Sequence, residues 1–389
     1  MPLKRRVFIY KKGDVTKAIK EISNGGKVRE TCRKYNIPRA RVINKLKHKY
    51  SWDRKMEPPT ILTTQEESTL KSWIIAMANK WFPVNREMIL DTVKDIIIEQ
   101  KLPNPFKDNV PSKKWFASFL KRHPDVFARL VEYRNISESP VTVSALRMWY
   151  KNLKDYLITE GVADILEDPE RIFGADECSF QTGFTGLVHG PQGLNYDETS
   201  NKDKESLTVV GTIAASGSIL PPLIVYPSRL PPQVFRLVNG EWCVRQSDKG
   251  NLTSKCVFDY ISDTLVPKLK GKHVKFPVLL LINGYKLHIT KEISQLCIDN
   301  SIILYSFYPN AAHIIQPVDV SIFGPLKDSW INIVKDWKLK TGYISVTRAL
   351  FASLLEDRFR DITRDEICNG FRNCGLYPFD ANAISDLCN

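Results

Sequence analysis

The spacing of apolar residues predicts three short helices in residues 1–50. Apolar side chains recur three or four positions apart before Asn24-Gly25-Gly26, which is expected to stop the first helix. A second helix is predicted over 28–35, a turn at Asn36-Ile37-Pro38, and a third helix over 39–49. Three short helices with a tight turn before the last are typical of a helix-turn-helix unit.

A second helical module is predicted over residues 62–134, after a linker at 51–61 that contains two consecutive prolines. Thr64 and Glu67 have the spacing of a capping box and predict the start of its first helix, and Phe82-Pro83 predicts the end. The other two helices of this three-helix module are predicted at residues 86–100 and 113–122.

Strand patterns begin after a bridge at residues 135–168, within which an amphipathic helix is predicted over 145–158. Strands followed by alternating strands and helices indicate an α/β domain with a mixed sheet, over residues 169–389. The strands are predicted at residues 171–177, 207–215, 219–226, 274–282 and 302–305, and the helices at residues 321–340 and 347–360.

The segment Phe276–Thr290 combines a buried-strand pattern with a cluster of polar residues. Its apolar run is too short to cross a bilayer and suits a central strand, and the run ends at Asn283. Ligands of open α/β sheets bind beyond the carboxyl ends of such strands, so a functional site is one interpretation. A hairpin turn at Asn283-Gly284 is the other, and spacing alone does not decide between them.

Composition narrows the classes of protein. A chain of 389 residues with 43% hydrophobic residues accommodates two or three globular domains, and no signal peptide or membrane span is visible. Eight cysteines without a C-x-x-C pair suit reduced thiols, and the six histidines do not pair with them at zinc-finger spacing. A small-molecule substrate is not expected.

The net charge of +13 is concentrated in residues 1–50, which contain sixteen basic and three acidic residues, whereas the remainder is balanced. A basic segment on a neutral body indicates nucleic-acid binding, and a disordered polybasic tail is the alternative that the helical periodicity disfavours. Arginine and asparagine can bind base edges, and lysine is suited to phosphates. The candidate DNA-binding residues are Arg39, Arg41, Asn44, Lys45, Lys47, Lys113, Lys114, Lys121 and Arg122.

Both helical modules resemble known DNA-binding families. The string AIKEISNGGKVRETCRKYNIPRARVINKLK resembles the pipsqueak-type helix-turn-helix. The ordered strings LTTQEESTLKSWI, WFPVNREMI, NPF and SKKWFASFLKRHP resemble the centromere-protein-B-type helix-turn-helix. Together they imply two contacts with double-stranded DNA.

The α/β region resembles the RNase H-like DDE domain of pogo/Tigger-type transposases of the mariner superfamily, a group related to centromere protein B and jerky. The matching strings are IFGADECSF, TVVGTIAASGSILPPLIVYPSRLP, VLLLINGYKLHIT, HIIQPVDVSIFGPLK and GFRNCGLYPFD. The resemblance implies an endonuclease in which three acids bind two Mg²⁺ ions. Asp176 and Asp319 match the first and third acids, both as catalytic residues and as metal ligands, and Asn283 stands at the position of the second.

An amide in place of this carboxylate predicts weak or lost Mg²⁺ binding, because it offers one neutral oxygen donor. The resemblance therefore implies a nuclear DNA-binding protein whose catalytically inactive DDE domain is a scaffold for DNA, homodimer formation or partner proteins, with no cofactor required for DNA binding. The alternatives are an active Mg- or Mn-dependent enzyme of DNA cleavage and strand transfer, and a decayed copy without a role.

Overall fold

The computed structural model describes residues 10, 12–47, 60–82, 84–181, 206–227, 240–284, 289–342 and 346–384. The chain forms two compact units, Met1–Thr63 and Thr64–Asn389. The predicted fold class is confirmed, because helices occupy the first part of the chain and a six-stranded mixed sheet with helices follows.

Three helices form the first unit. They are α1 (Lys12–Ser23), α2 (Val28–Lys34) and α3 (Arg39–Leu46). Gly25 ends α1 with a φ of +97°, and a side chain at Gly26 would approach the Glu21 carbonyl oxygen to 2.8 Å. The tight turn predicted before α3 is present, with Asn36 in the left-handed region at a φ of 49°. These turns fold the helices around one small core of Val15, Ala18, Cys32, Ile37 and Val42.

The second unit begins with four helices, where the sequence predicted a module of three. They are α4 (Thr64–Asn79), α5 (Arg86–Glu99), α6 (Lys113–Arg122) and α7 (Pro124–Glu138). The additional helix α7 starts with proline, which suits the first helical position because its missing N–H would have no partner there.

The predicted capping role of Glu67 is wrong. Glu67 is 5% exposed, and its carboxylate accepts hydrogen bonds from the Arg122 guanidinium, with Nη2 at 2.6 Å from Oε1 and Nε at 3.0 Å from Oε2. A buried carboxylate needs a charged partner, so Glu67 connects α4 to the end of α6.

The α/β region follows α8 (Val143–Thr159), whose buried face includes Trp149 and Tyr150. Its strands are β1 (Ile172–Gln181), β2 (Ser206–Ala214), β3 (Ile219–Pro227), β4 (Cys243–Ser247), β5 (Val278–Ile282) and β6 (Ile302–Ser306). The order in the sheet is β4-β3-β2-β1-β5-β6. β1, β2 and β3 are antiparallel neighbours, whereas β5 is parallel to β1 and β6 to β5. This is the mixed sheet expected of an RNase H-like domain.

Helices cover the sheet. They are α9 (Ser254–Tyr260), a π-helical turn (Ile261–Leu265), α10 (Val266–Gly271), α11 (Lys291–Asp299), α12 (Ala312–Ile315), a second π-helical turn (Asp319–Phe323), α13 (Gly324–Thr341), α14 (Arg348–Asp361) and α15 (Arg364–Asn373). The main core lies between the sheet, α8 and the helices α13 to α15.

Candidate functional site

Asp176 lies within the central strand β1 and is 1% exposed. The sequence placed it at the end of a strand, but β1 continues to Gln181 and pairs with β2 along its length. Ala175 pairs in parallel register with Ile282, the last residue of β5. The next position of each chain holds Asp176 and Asn283, so the fold brings these two residues side by side.

Asp319 reaches the same region from the first residue of the second π-helical turn. A Cβ atom at Gly174 would lie 3.6 Å from Val318, and one at Gly211 would lie 3.0 Å from the ring of Phe323. Since Gly174 and Asp176 are two residues apart on one strand, they face the same side of the sheet. The turn that carries Asp319 therefore packs on the face of β1 that contains Asp176.

Lys327 of α13 forms an ion pair with Asp319, with Nζ at 3.1 Å from Oδ1. Burial lowers the pKa of Lys327, but Cys178, Asp319 and Asp176 outweigh it, and the net effect is a raised pKa. The ammonium therefore lies in the field of both aspartates, a cation that the sequence reasoning did not assign to the site.

Polar contacts of the surrounding backbone fix this part of the sheet. Gln316 is fully buried and donates a hydrogen bond from Nε2 to the Ala175 carbonyl oxygen at 3.3 Å. The Gly284 N–H donates to the Ser306 hydroxyl at 3.1 Å, which fixes the backbone directly after Asn283. His313 is exposed, while His288 lies outside the described residues.

The residues present do not fit a pair of Mg²⁺ ions. Asp319 Oδ1 accepts from the Lys327 ammonium, and position 283 offers an amide in place of an anion. Two neighbouring dications require several anionic oxygen ligands, and the described part of the chain contains no cluster of three or more His, Cys, Asp or Glu side chains that could hold a metal.

The candidate DNA-binding residues of the first unit lie on α3 and directly after it. Arg39, Arg41 and Lys47 are exposed, and Asn44 and Lys45 are half-buried. The Arg41 guanidinium carbon lies 5.3 Å from the centre of the Tyr10 ring. The exposed cations are thus available to a ligand from the side opposite the buried Val42.

The candidate residues of α6 divide into two groups. Lys113, Lys114 and Lys121 are exposed. Arg122 is held by both carboxylate oxygens of Glu67 and its side chain is 28% exposed. Its role as a DNA contact stays a prediction, whereas its contribution to the contact between α4 and α6 is part of the fold.

Helix α4 and the turn after it also contact the α/β region, which sequence reasoning did not foresee. The Trp73 indole N–H donates to the Ser294 hydroxyl on α11 at 3.3 Å, and the Ser306 N–H donates to the Lys80 carbonyl oxygen at 2.8 Å. The Trp81 and Tyr308 rings lie 5.4 Å apart. Pairs so distant in sequence carry no local signal.

Two protein families match separate parts of the chain. Residues 204–361 match the family model of the DDE superfamily endonuclease, and residues 63–129 match that of the Tc5 transposase DNA-binding domain. The chain therefore combines a Tc5-type transposase DNA-binding domain, which contains α4 to α6, with a DDE superfamily endonuclease domain, which contains Asn283 and Asp319. Asp176 precedes the matched region.

Comparisons with individual proteins reveal weaker likenesses. The chain is 24% identical over 246 residues to "MFS-type transporter clz9" of Cochliobolus lunatus, a match that covers 61% of this chain and 26% of that protein. The chain thus spans about a quarter of the length of this relative. None of the helices in the described residues combines the length and apolar character of a membrane span.

Solved structures of Mos1 transposase complexes cover nearly the whole chain at low similarity. The strand transfer complex has 9% identity, 99% coverage of both chains and a TM-score of 0.37. The Mos1 mariner paired-end complex with Mn has 12% identity, covers 97% of this chain and 98% of that chain, and has a TM-score of 0.38. At TM-scores below 0.5 these likenesses carry no further argument.

Proposed function

We propose that the chain is a DNA-binding protein derived from a pogo/Tigger-like transposase, which binds duplex DNA in the nucleus and does not cut it. Its basic first module, of the pipsqueak type, would provide one contact with DNA. The matched Tc5-type domain, of the centromere-protein-B type, would provide the second through α6. DNA binding would require no cofactor.

The observation that carries the loss of cleavage is the pairing of Asp176 with an amide at position 283. The parallel register of β1 and β5 supports reading Asn283 as the counterpart of the second acid. Replacing a carboxylate by an amide removes one full negative charge from a site that must offset four positive charges on two Mg²⁺ ions. Lys327 reduces the negative charge further by pairing with Asp319.

DNA binding by the first module is tested with the double variant Arg39→Ala/Arg41→Ala in the full chain. Both side chains are exposed on α3, so their loss should leave the fold intact and weaken the shift of duplex DNA in a gel. The matched control is Arg29→Ala/Arg33→Ala, which removes two exposed cations from α2. Equal affinity of the α3 variant and the wild type would contradict this assignment.

Cleavage is tested with supercoiled DNA and Mg²⁺ or Mn²⁺. We expect no nicking by the wild type, and nicking by Asn283→Asp if the remaining site is intact. The double variant Asn283→Asp/Asp176→Asn controls for contaminating nucleases. Metal-dependent nicking by the wild type that Asp176→Asn abolishes would instead establish the alternative, an active Mg-dependent endonuclease or transposase, which the DDE superfamily match favours.

A further inference from the structure

Lys327 extends from α13 over the pair of aspartates and remains accessible. Its side chain is 46% exposed and that of Asp319 is 21% exposed. An ammonium group has three N–H donors, and the described hydrogen bond to Asp319 Oδ1 uses one of them. The remaining donors can bind a second acceptor without breaking the ion pair.

Two further lysines follow Lys327 along the same side of α13. Lys335 and Lys338 come 8 and 11 residues later, which at 3.6 residues per turn places them within about 80° of Lys327 around the helix. Lys335 is exposed and Lys338 is half-buried. At 1.5 Å per residue, the three positions span about 16 Å along the helix axis. They form a basic stripe that starts at the carboxylate site.

We propose that Lys327, Lys335 and Lys338 form a surface on the DDE domain that binds the phosphates of duplex DNA without a metal ion. Lysine binds phosphate as a point charge, and a span of about 16 Å covers several phosphates of one strand. This inference rests on the proposed DNA-binding function and adds a third contact with DNA to those of the two helical modules.

The metal-free character of this surface follows from the position of Lys327. Its ammonium lies 3.1 Å from the oxygen with which Asp319 would bind a cation. With an amide at position 283, Mg²⁺ would have to displace this internal cation without gaining a third carboxylate. The phosphate that approaches this site instead meets an ammonium group held in place by Asp319.

The test measures the affinity of the full chain for fluorescent duplex DNA over a series of salt concentrations. Lys327→Met and Lys335→Met should each weaken binding to all duplex sequences alike and lower the slope of log affinity against log salt by about 0.9. Lys340→Met is the matched control, because this exposed lysine of α13 lies about 220° around the helix from Lys327. Wild-type affinity should be equal in EDTA and in Mg²⁺ at matched ionic strength.

Salt slopes of Lys327→Met and Lys335→Met that equal the wild-type slope would overturn the surface, and a Mg²⁺ requirement for wild-type affinity would overturn its metal-free character. Lys335→Met decides the question even if Lys327→Met does not fold. Lysine variants without effect, together with weakened binding by Arg39→Ala/Arg41→Ala, would refute only this inference. The reverse outcome would refute the first-module contact and leave this surface intact.

Discussion

The ion pair between Glu67 and Arg122 can be broken by a single isosteric change, Glu67→Gln. The variant keeps the shape of the side chain but leaves the Arg122 guanidinium without its anionic partner. Breaking a buried ion pair from one side costs about 3 to 5 kcal/mol. Because the Arg122 side chain is 28% exposed, water can partly replace the lost partner. We therefore expect the lower end of this range, about 3 kcal/mol.

Hydrogen exchange of the full chain, followed by mass spectrometry, measures this loss where it occurs. A loss of about 3 kcal/mol in local stability corresponds to roughly 100-fold faster exchange of the α6 amides. The control is Glu132→Gln on α7, which breaks an ion pair between side chains that are 44% and 56% exposed and should change exchange very little.

A double-mutant cycle with Arg122→Met separates the pair from its surroundings. Removing both charges should restore much of the stability, since no unpaired charge then remains. Wild-type exchange rates in Glu67→Gln, or strictly additive losses in the double variant, would refute a coupled pair. A fall of about 0.9 in the salt slope of DNA binding by Arg122→Met would show that Arg122 also contacts phosphate.

Two further predictions address other contacts. Hydrogen bonds from Lys34 and then Tyr35 lower the pKa of Glu21, so their stabilisation is present above the ordinary carboxyl pKa of about 4.3 and is lost as the pH falls through the lowered value. Glu21→Gln should make the stability of α1 and α2, measured by pulsed hydrogen exchange, less dependent on pH below about 4.3, and an unchanged acid profile would count against this contact. Trp73→Phe removes the hydrogen bond to Ser294 and should cost about 1 kcal/mol, seen as faster exchange in both α4 and α11. A change confined to α4 would argue against a shared contact.

The helices of the first unit could be predicted because their signals are local. Helical spacing of apolar residues and the glycine pair after α1 gave boundaries close to those observed. The hairpin of β2 and β3 was predicted for the same reason, and Gly217 in its turn has a φ of +92°. In each case a backbone requirement coincides with a residue type that meets it.

Elements with mixed patterns were missed. The edge strand β4 has only one fully buried residue, so no apolar run marks it. The second half of β1 was also missed, although Cys178 and Phe180 are buried while Ser179 is exposed, an alternation typical of a strand. Helix α7 was missed although Pro124 suits a first helical position.

The site was predictable only through the family resemblance. Asp176 and Asn283 become neighbours through strand pairing across about a hundred residues, and spacing alone left Asn283 open between a site and a hairpin turn. The position of Lys327 depends on the π-helical turn between it and Asp319, which displaces the following helix relative to regular α-helical spacing. No pattern in the sequence specified that turn.

Ser306 connects the two matched domains to the backbone beside Asn283. Its N–H donates to the Lys80 carbonyl oxygen after α4, and its carbonyl oxygen accepts from the Trp149 indole on α8. Its hydroxyl accepts from the Gly284 N–H. Because Ser306 is only 2% exposed, a shift of any of these partners would leave a buried polar group without its hydrogen bond. The orientation of α4 and the backbone after Asn283 are therefore held by the same residue, and the fold retains this connection although position 283 carries no acid.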